Sequence, residues 1–186
     1  MREVFMLVTT DYLRSRALQY AERWAFSRNP LFENYTGQGG DCTNFVSQSI
    51  YAGSCVMNYT PTFGWYYISP TMRAPAWTGV EFFYNFITLN EGVGPFGEEV
   101  GEADLEVGDV IQLADTRGDY YHSLLVTGAE GGEYLVASHS NDAFDRPLSS
   151  YSYGSARFIR IDGVRFEVPD VYLPDCFERF ISGEGI

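Results

Sequence analysis

The feature that most constrains this chain is a change of hydrophobic period near its midpoint. Up to about residue 90 apolar residues recur at helical spacing in three stretches; beyond residue 108 they fall into short strand-like runs. Leu13, Ala17, Tyr20, Ala21, Trp24 and Ala25 predict a helix over 11–28, capped by Asp11 and stopped by Asn29-Pro30. A second helix is expected from Cys42 to Ala52, with Gly53 at its C-cap. A third runs from Val80 to Asn90, carrying Phe83, Phe86 and Ile87 on one side. Strands are expected at Val110–Ala114, Tyr120–Thr127, Glu133–Ser138 and Arg157–Ile161, with Arg165–Val168 as a fifth. Helices first and antiparallel strands second predict an α+β fold with a sheet of four to six strands. At 186 residues the chain reads as one domain over 1–186, and 169–186 as a C-terminal extension lying on the surface.

Residues 54–79 lack any period and are rich in Tyr, Trp, Pro and Gly, which predicts a long aromatic loop. Trp65 and Trp77 within it are candidates for a substrate wall or for core packing under the loop. Residues 91–103, rich in Gly and Glu, read as a connection.

Charge limits the partners. Twenty-five acidic residues against twelve basic ones give a formal charge of −13, a field that repels nucleic acid and anionic lipid. All twelve basic residues are Arg, and Lys is absent. No apolar run reaches 18 residues, so no membrane span is expected. The opening Met1–Val8 is too short for a secretory signal, which reads as cytoplasmic unless a leader has been removed or another export route is used.

Cys42 is the residue with most chemical information. It follows Gly37-Gln38-Gly39-Gly40-Asp41 and begins a helix, where free N–H groups and the helix dipole stabilise a thiolate. A thiolate attacks carbonyls, and the same N–H groups can receive the oxyanion of a tetrahedral intermediate. The two histidines, His122 and His139, stand at the ends of strands expected to be neighbours, which would set both imidazoles at one end of the sheet. Each of the three also fits a plain structural role, a buried thiol or a satisfied imidazole. The remaining cysteines, Cys55 and Cys176, form no CxxC pair, and the odd total leaves at least one thiol unpaired within the chain. Asn141-Asp142 with Asp145 lacks the Gly and Glu of a calcium loop, and no metal or other cofactor is expected.

These residues carry a resemblance. Asp41-Cys42-Thr43-Asn44-Phe45-Val46-Ser47-Gln48 resembles the signature of the putative amidase domain family, a bacterial branch of the papain-like superfamily related to the CHAP and NlpC-type peptidases. Tyr20–Ala25, Trp65–Tyr67, Ala76-Trp77, Gly108–Gln112, His122 and Ser138-His139 resemble its other blocks, in the family's order, over about residues 11–148. The resemblance implies a papain-like fold with Cys42 as nucleophile, His122 as general base and acid, and His139 orienting His122, with Asn141 as the substitute orienter. Gln38 and Thr43 become candidates at the oxyanion; Asp41 caps the helix or binds a substrate amine, the cap being the simpler role. Ser49 and Ser54-Cys55 depart from the family pattern, and no disulfide is assigned to Cys55 and Cys176.

The function so implied is a cysteine amidase or peptidase that forms a thioester acyl-enzyme, with the peptide part of bacterial peptidoglycan as substrate. Two alternatives stand beside it: an acyl-transferring enzyme, suggested by the missing Lys, and a catalytically dead peptide-binding module of the same fold.

Overall fold

The computed structural model describes residues 6–168 and 176–184. The elements follow as β1 (Met6–Thr10), α1 (Arg14–Trp24), α2 (Cys42–Ser54), β2 (Tyr67–Ser69), β3 (Met72–Arg73), α3 (Pro75–Thr78), α4 (Val80–Leu89), β4 (Gly94–Val100), β5 (Val110–Ala114), β6 (Tyr120–Glu130), β7 (Glu133–Ser138), β8 (Ala143–Pro147), β9 (Ser155–Val168) and α5 (Cys176–Ser182). The fold is α+β: helices lie against a seven-stranded antiparallel sheet, more strands than the four to six expected. The order runs β1-β9-β5-β6-β7-β8, with β4 also on β9. Because Phe158 and Ile159 pair with both β4 and β5, and Val164 and Arg165 with both β4 and β1, the long β9 gives one edge to β4 and the other, end to end, to β5 and β1.

The central strands are buried on both faces, which is why they read as near-continuous apolar runs. Val110, Leu125, Ala137, Ile159 and Ile161 face the helices, while Ile111, Leu113, Leu124, Val126, Val136 and Leu148 build a second core on the opposite face. α2 runs through the middle, every residue buried except Tyr51. Its polar side chains are therefore paired: Ser47 accepts from the Trp65 indole, Gln48 from the Tyr20 hydroxyl, and Ser49 donates to the Phe45 carbonyl.

Several expectations need correction. Asp11 does not cap α1; the helix starts at Arg14 without a side-chain cap. Gly53 lies inside α2, where the Tyr12 ring and the Leu13 carbonyl occupy the space a Cβ would need. The left-handed C-cap belongs instead to Cys55, at φ 53°. Residues 91–103 contain β4, whose two glycines and two glutamates conceal an edge strand. The 54–79 loop holds the β2–β3 hairpin and α3.

The largest correction concerns the cysteines. Cys55 and Cys176 form a disulfide, with Cα atoms 6.0 Å apart, leaving Cys42 as the free thiol. A sequence separation of 121 residues gives no local signal for it. What brings them together is α5, whose Phe177 and Phe180 enter the main core. The end of the chain is thus a core element over 176–182; residues 169–175 lie outside the described residues.

Candidate active site around Cys42

The approach to Cys42 is set by glycines. Gly37, Gly39 and Gly40 all adopt positive φ, so the chain can turn sharply into α2. Gln38 sits exposed on this loop and donates to the Asn34 carbonyl at 3.5 Å. Cys42 is the first residue of α2 and only 6% exposed. Burial pushes its thiol above the ordinary value. Opposing that push are the N–H of Ser123, the Thr43 hydroxyl and the N–H groups of Thr43 and Cys42 itself. The Thr43 Oγ1 is 3.9 Å from the sulfur and 2.9 Å from the Ser123 hydroxyl. Gln112 donates to the same Ser123 oxygen at 3.1 Å. The sulfur thus sits at the start of α2, linked through Thr43 to Ser123 and Gln112 of the sheet.

Asp41 takes neither of its expected roles. Its side chain makes no cap bond on α2. It accepts from the Tyr35 N–H (3.0 Å) and Asn44 Nδ2 (2.8 Å), faces His139 Nδ1 at 2.6 Å, and lies 3.4 Å from Arg28 Nε. At 1% exposure it has no room for a substrate amine. The N-terminus of α2 is held from outside instead: the Asp41 N–H donates to the Ser140 hydroxyl at 2.7 Å. Ser140 and Asn141 both adopt positive φ in the turn that delivers this hydroxyl.

The structure brings His139 to Cys42's neighbour rather than to His122. Its Nε2 donates to the Trp24 carbonyl at 2.9 Å, its Nδ1 meets Asp41, and its ring stacks on Phe45 with centroids 4.1 Å apart. With both nitrogens engaged, none is left to orient a second imidazole. Asn141, the substitute, is exposed on the same turn.

His122 lies on the other face of the sheet. Ser123 turns its hydroxyl to Thr43 on α2, so alternation along β6 sends His122 the opposite way. There its ring lies 6.1 Å from Tyr121 and 5.9 Å from Tyr151. Burial, with a smaller contribution from Arg146, lowers its pKa to about 4, so the imidazole is neutral at pH 7. Among the described residues no hydrogen bond joins His122 to Cys42. The two neighbouring residues do meet: Ser123, next along β6, bonds through its hydroxyl to Thr43, next along α2.

Trp65 and Trp77 are core residues, both with no exposure. Their indoles donate to Ser47 and Asn44 on α2, at 3.0 and 2.9 Å. The loop's exposed aromatics serve other surfaces. Phe63 lines a cleft of about 580 Å³ with Phe82 and Leu89. Tyr59 lines one of about 340 Å³ with Tyr51, nine residues along α2 from Cys42, or about 13 Å.

Sequence reasoning missed Ser123, Ser140 and Asn29. Asn29, a helix stop by its place before Pro30, is buried and donates to the Tyr20 hydroxyl and the Phe180 carbonyl. Its polarity beside a proline masks that role.

The chain belongs to the putative amidase domain family, whose sequence profile matches residues 11–161. It is 29% identical over 148 residues to the uncharacterized protein YhbB of Bacillus subtilis (strain 168), a stretch covering 77% of this chain. The matched part is 45% of that relative, so the chain spans less than half of its length. No solved structure matches.

Proposed function

We propose that this amidase-family domain hydrolyses a peptide amide bond through Cys42. The thiol attacks the carbonyl, the amine leaves with a proton, and water releases the acyl group from the thioester. The single observation that carries this reading is the free thiol of Cys42 at the first residue of α2, beside the Thr43 and Ser123 hydroxyls that tie it to β6. The unpaired N–H groups of that helix start would lie beside the carbonyl oxygen of a bound amide and stabilise its negative charge in the tetrahedral state.

A proton carrier needs a ring nitrogen that is free to act. His139 has none, because Trp24 and Asp41 engage both. The His122 imidazole is neutral and makes no side-chain hydrogen bond among the described residues. We therefore assign the base and acid role to His122; because its side chain leaves β6 on the Tyr151 face, this role requires the end of β6 to turn over at the adjacent irregularity so that the imidazole comes to the thiol side. The pairing of β5 with β6 is irregular beside it, where Leu113 pairs with His122 but Ala114 pairs with Tyr120, which loosens that strand end. A papain-like ancestry and a substrate in the peptide part of bacterial peptidoglycan complete the reading, on the family resemblance of the Cys42 and His122 blocks.

Acyl transfer to an amine is a second reading, favoured by one observation. The chain offers no Lys to be acylated by its own thioester, and seven of its arginines lie over aromatic rings instead. Digestion of purified wall peptides, with and without an added amine, tests both. New amine termini identified by mass spectrometry, absent with Cys42→Ala, are expected for hydrolysis. Products carrying the added amine would establish transfer, and unchanged products from the Cys42→Ala protein would overturn both.

A further inference from the structure

The disulfide is tied to the Cys42 site by a continuous set of contacts. Cys176 opens α5, a helix of seven residues, too short to persist by itself in water. Two of its carbonyls serve as acceptors for the first half of the chain: Ile181 for the Trp24 indole at 3.1 Å, and Phe180 for Asn29 at 2.9 Å. The Phe180 ring stacks on Tyr20 at 4.9 Å, and the Tyr20 hydroxyl donates to Gln48 on α2 at 2.7 Å. Trp24 then accepts from His139, which meets Asp41, the residue before Cys42. The other half of the disulfide, Cys55, caps the far end of α2. One covalent bond thus fixes both the C-terminus of the helix that bears Cys42 and the helix that supports its N-terminus.

We propose that Cys55–Cys176 is a redox-responsive staple that controls the order of the Cys42 site. Closed, it holds α5 against Tyr20, Trp24 and Asn29, and so holds the Asp41–His139 pair. A dithiol reductant opens it by thiol–disulfide exchange: two electrons and two protons pass to Cys55 and Cys176, and the reductant becomes a disulfide. A disulfide-bearing oxidant reverses the step. Opened, α5 undocks, Trp24 and Asn29 lose their acceptors, and the N-terminus of α2 loosens. Disulfides of this kind persist in oxidising surroundings, so the staple matches activity outside a reducing compartment and shutdown within one.

The test uses the whole chain and needs no turnover, so its failure is separable from failure of the amidase reading. Under denaturing, non-reducing conditions the oxidised protein should take one iodoacetamide label, at Cys42, and the reduced protein three. In the folded state, reduction with dithiothreitol should raise amide hydrogen exchange over 176–184, and over 21–25 and 41–45, by about tenfold or more. It should also lower Tm by on the order of 10 °C. The Cys55→Ser, Cys176→Ser double variant should match the reduced protein with or without reductant. If that variant does not fold, reduction of the folded wild type carries the same test. Three labels on the oxidised protein, or unchanged exchange over 41–45 once the bond is open, would overturn the proposal.

Discussion

The Asp41 carboxylate lies 2.6 Å from Nδ1 of His139, and both side chains are 1% exposed. This pair joins the start of α2 to the end of β7, and the His139 bond to the Trp24 carbonyl brings in α1. Removing one member strands the other. His139→Ala should cost about 3–5 kcal/mol of unfolding free energy, since it leaves a buried carboxylate with fewer partners and a cavity beside Phe45. Urea denaturation checks it; a loss under 1 kcal/mol would show that the pair contributes little to holding the site.

Arg14 plays the equivalent part at the foot of the sheet. It donates to the unexposed Asp109 at 2.6 Å, and to the carbonyls of Val107 and Ile161 at 3.0 and 2.8 Å. Asp109 also accepts from the Ile161 and Glu106 N–H groups, and its burial raises its pKa. Arg14→Met should destabilise by about 3–5 kcal/mol. Replacing both Arg14 and Asp109 should cost less than the sum of the single changes, as a double-mutant cycle would read.

Much of this was legible in the sequence, and the failures have physical causes. The change of period at residue 90 identified the α+β layout, because a packed layer must present one apolar face at its own spacing. The Gly run before Cys42 located the helix start that carries the thiol. What stayed hidden depended on distant partners. β1 is half exposed and is a strand only because the last residues of β9 pair with it. The disulfide needed α5 to dock 121 residues away from Cys55. The facing of His122 turns on strand parity, and parity cannot be read when β6 is apolar toward both cores.

His122 makes stability depend on pH in a defined window. Its pKa is about 4 in the folded protein against 6.5 for the unperturbed group, so the unfolded chain binds the extra proton between these values. Its contribution to stability is complete above pH 6.5 and is lost as pH falls toward 4, by about 3 kcal/mol. His122→Gln should flatten the stability profile over that window relative to wild type. Parallel profiles for the two proteins would show that the imidazole is not desolvated as described.

Cys42 should titrate late. With its thiol raised by burial, alkylation by iodoacetamide in the folded protein should climb about tenfold per pH unit from 7 to 9 without levelling. It should run slower than free glutathione at pH 7. A plateau already reached by pH 7 would mean a preformed thiolate. His122 would then be paired with the sulfur from the outset.

The central claim is that Cys42 becomes acylated during turnover. The most direct measurement is intact mass after acid quenching of the protein with an activated peptide ester or anilide, followed by location of the adduct. One acyl group is expected, on the Cys42 peptide, released by hydroxylamine and absent from Cys42→Ala. Substrate turnover with no adduct on Cys42, and undiminished turnover by the Cys42→Ala protein, would contradict it.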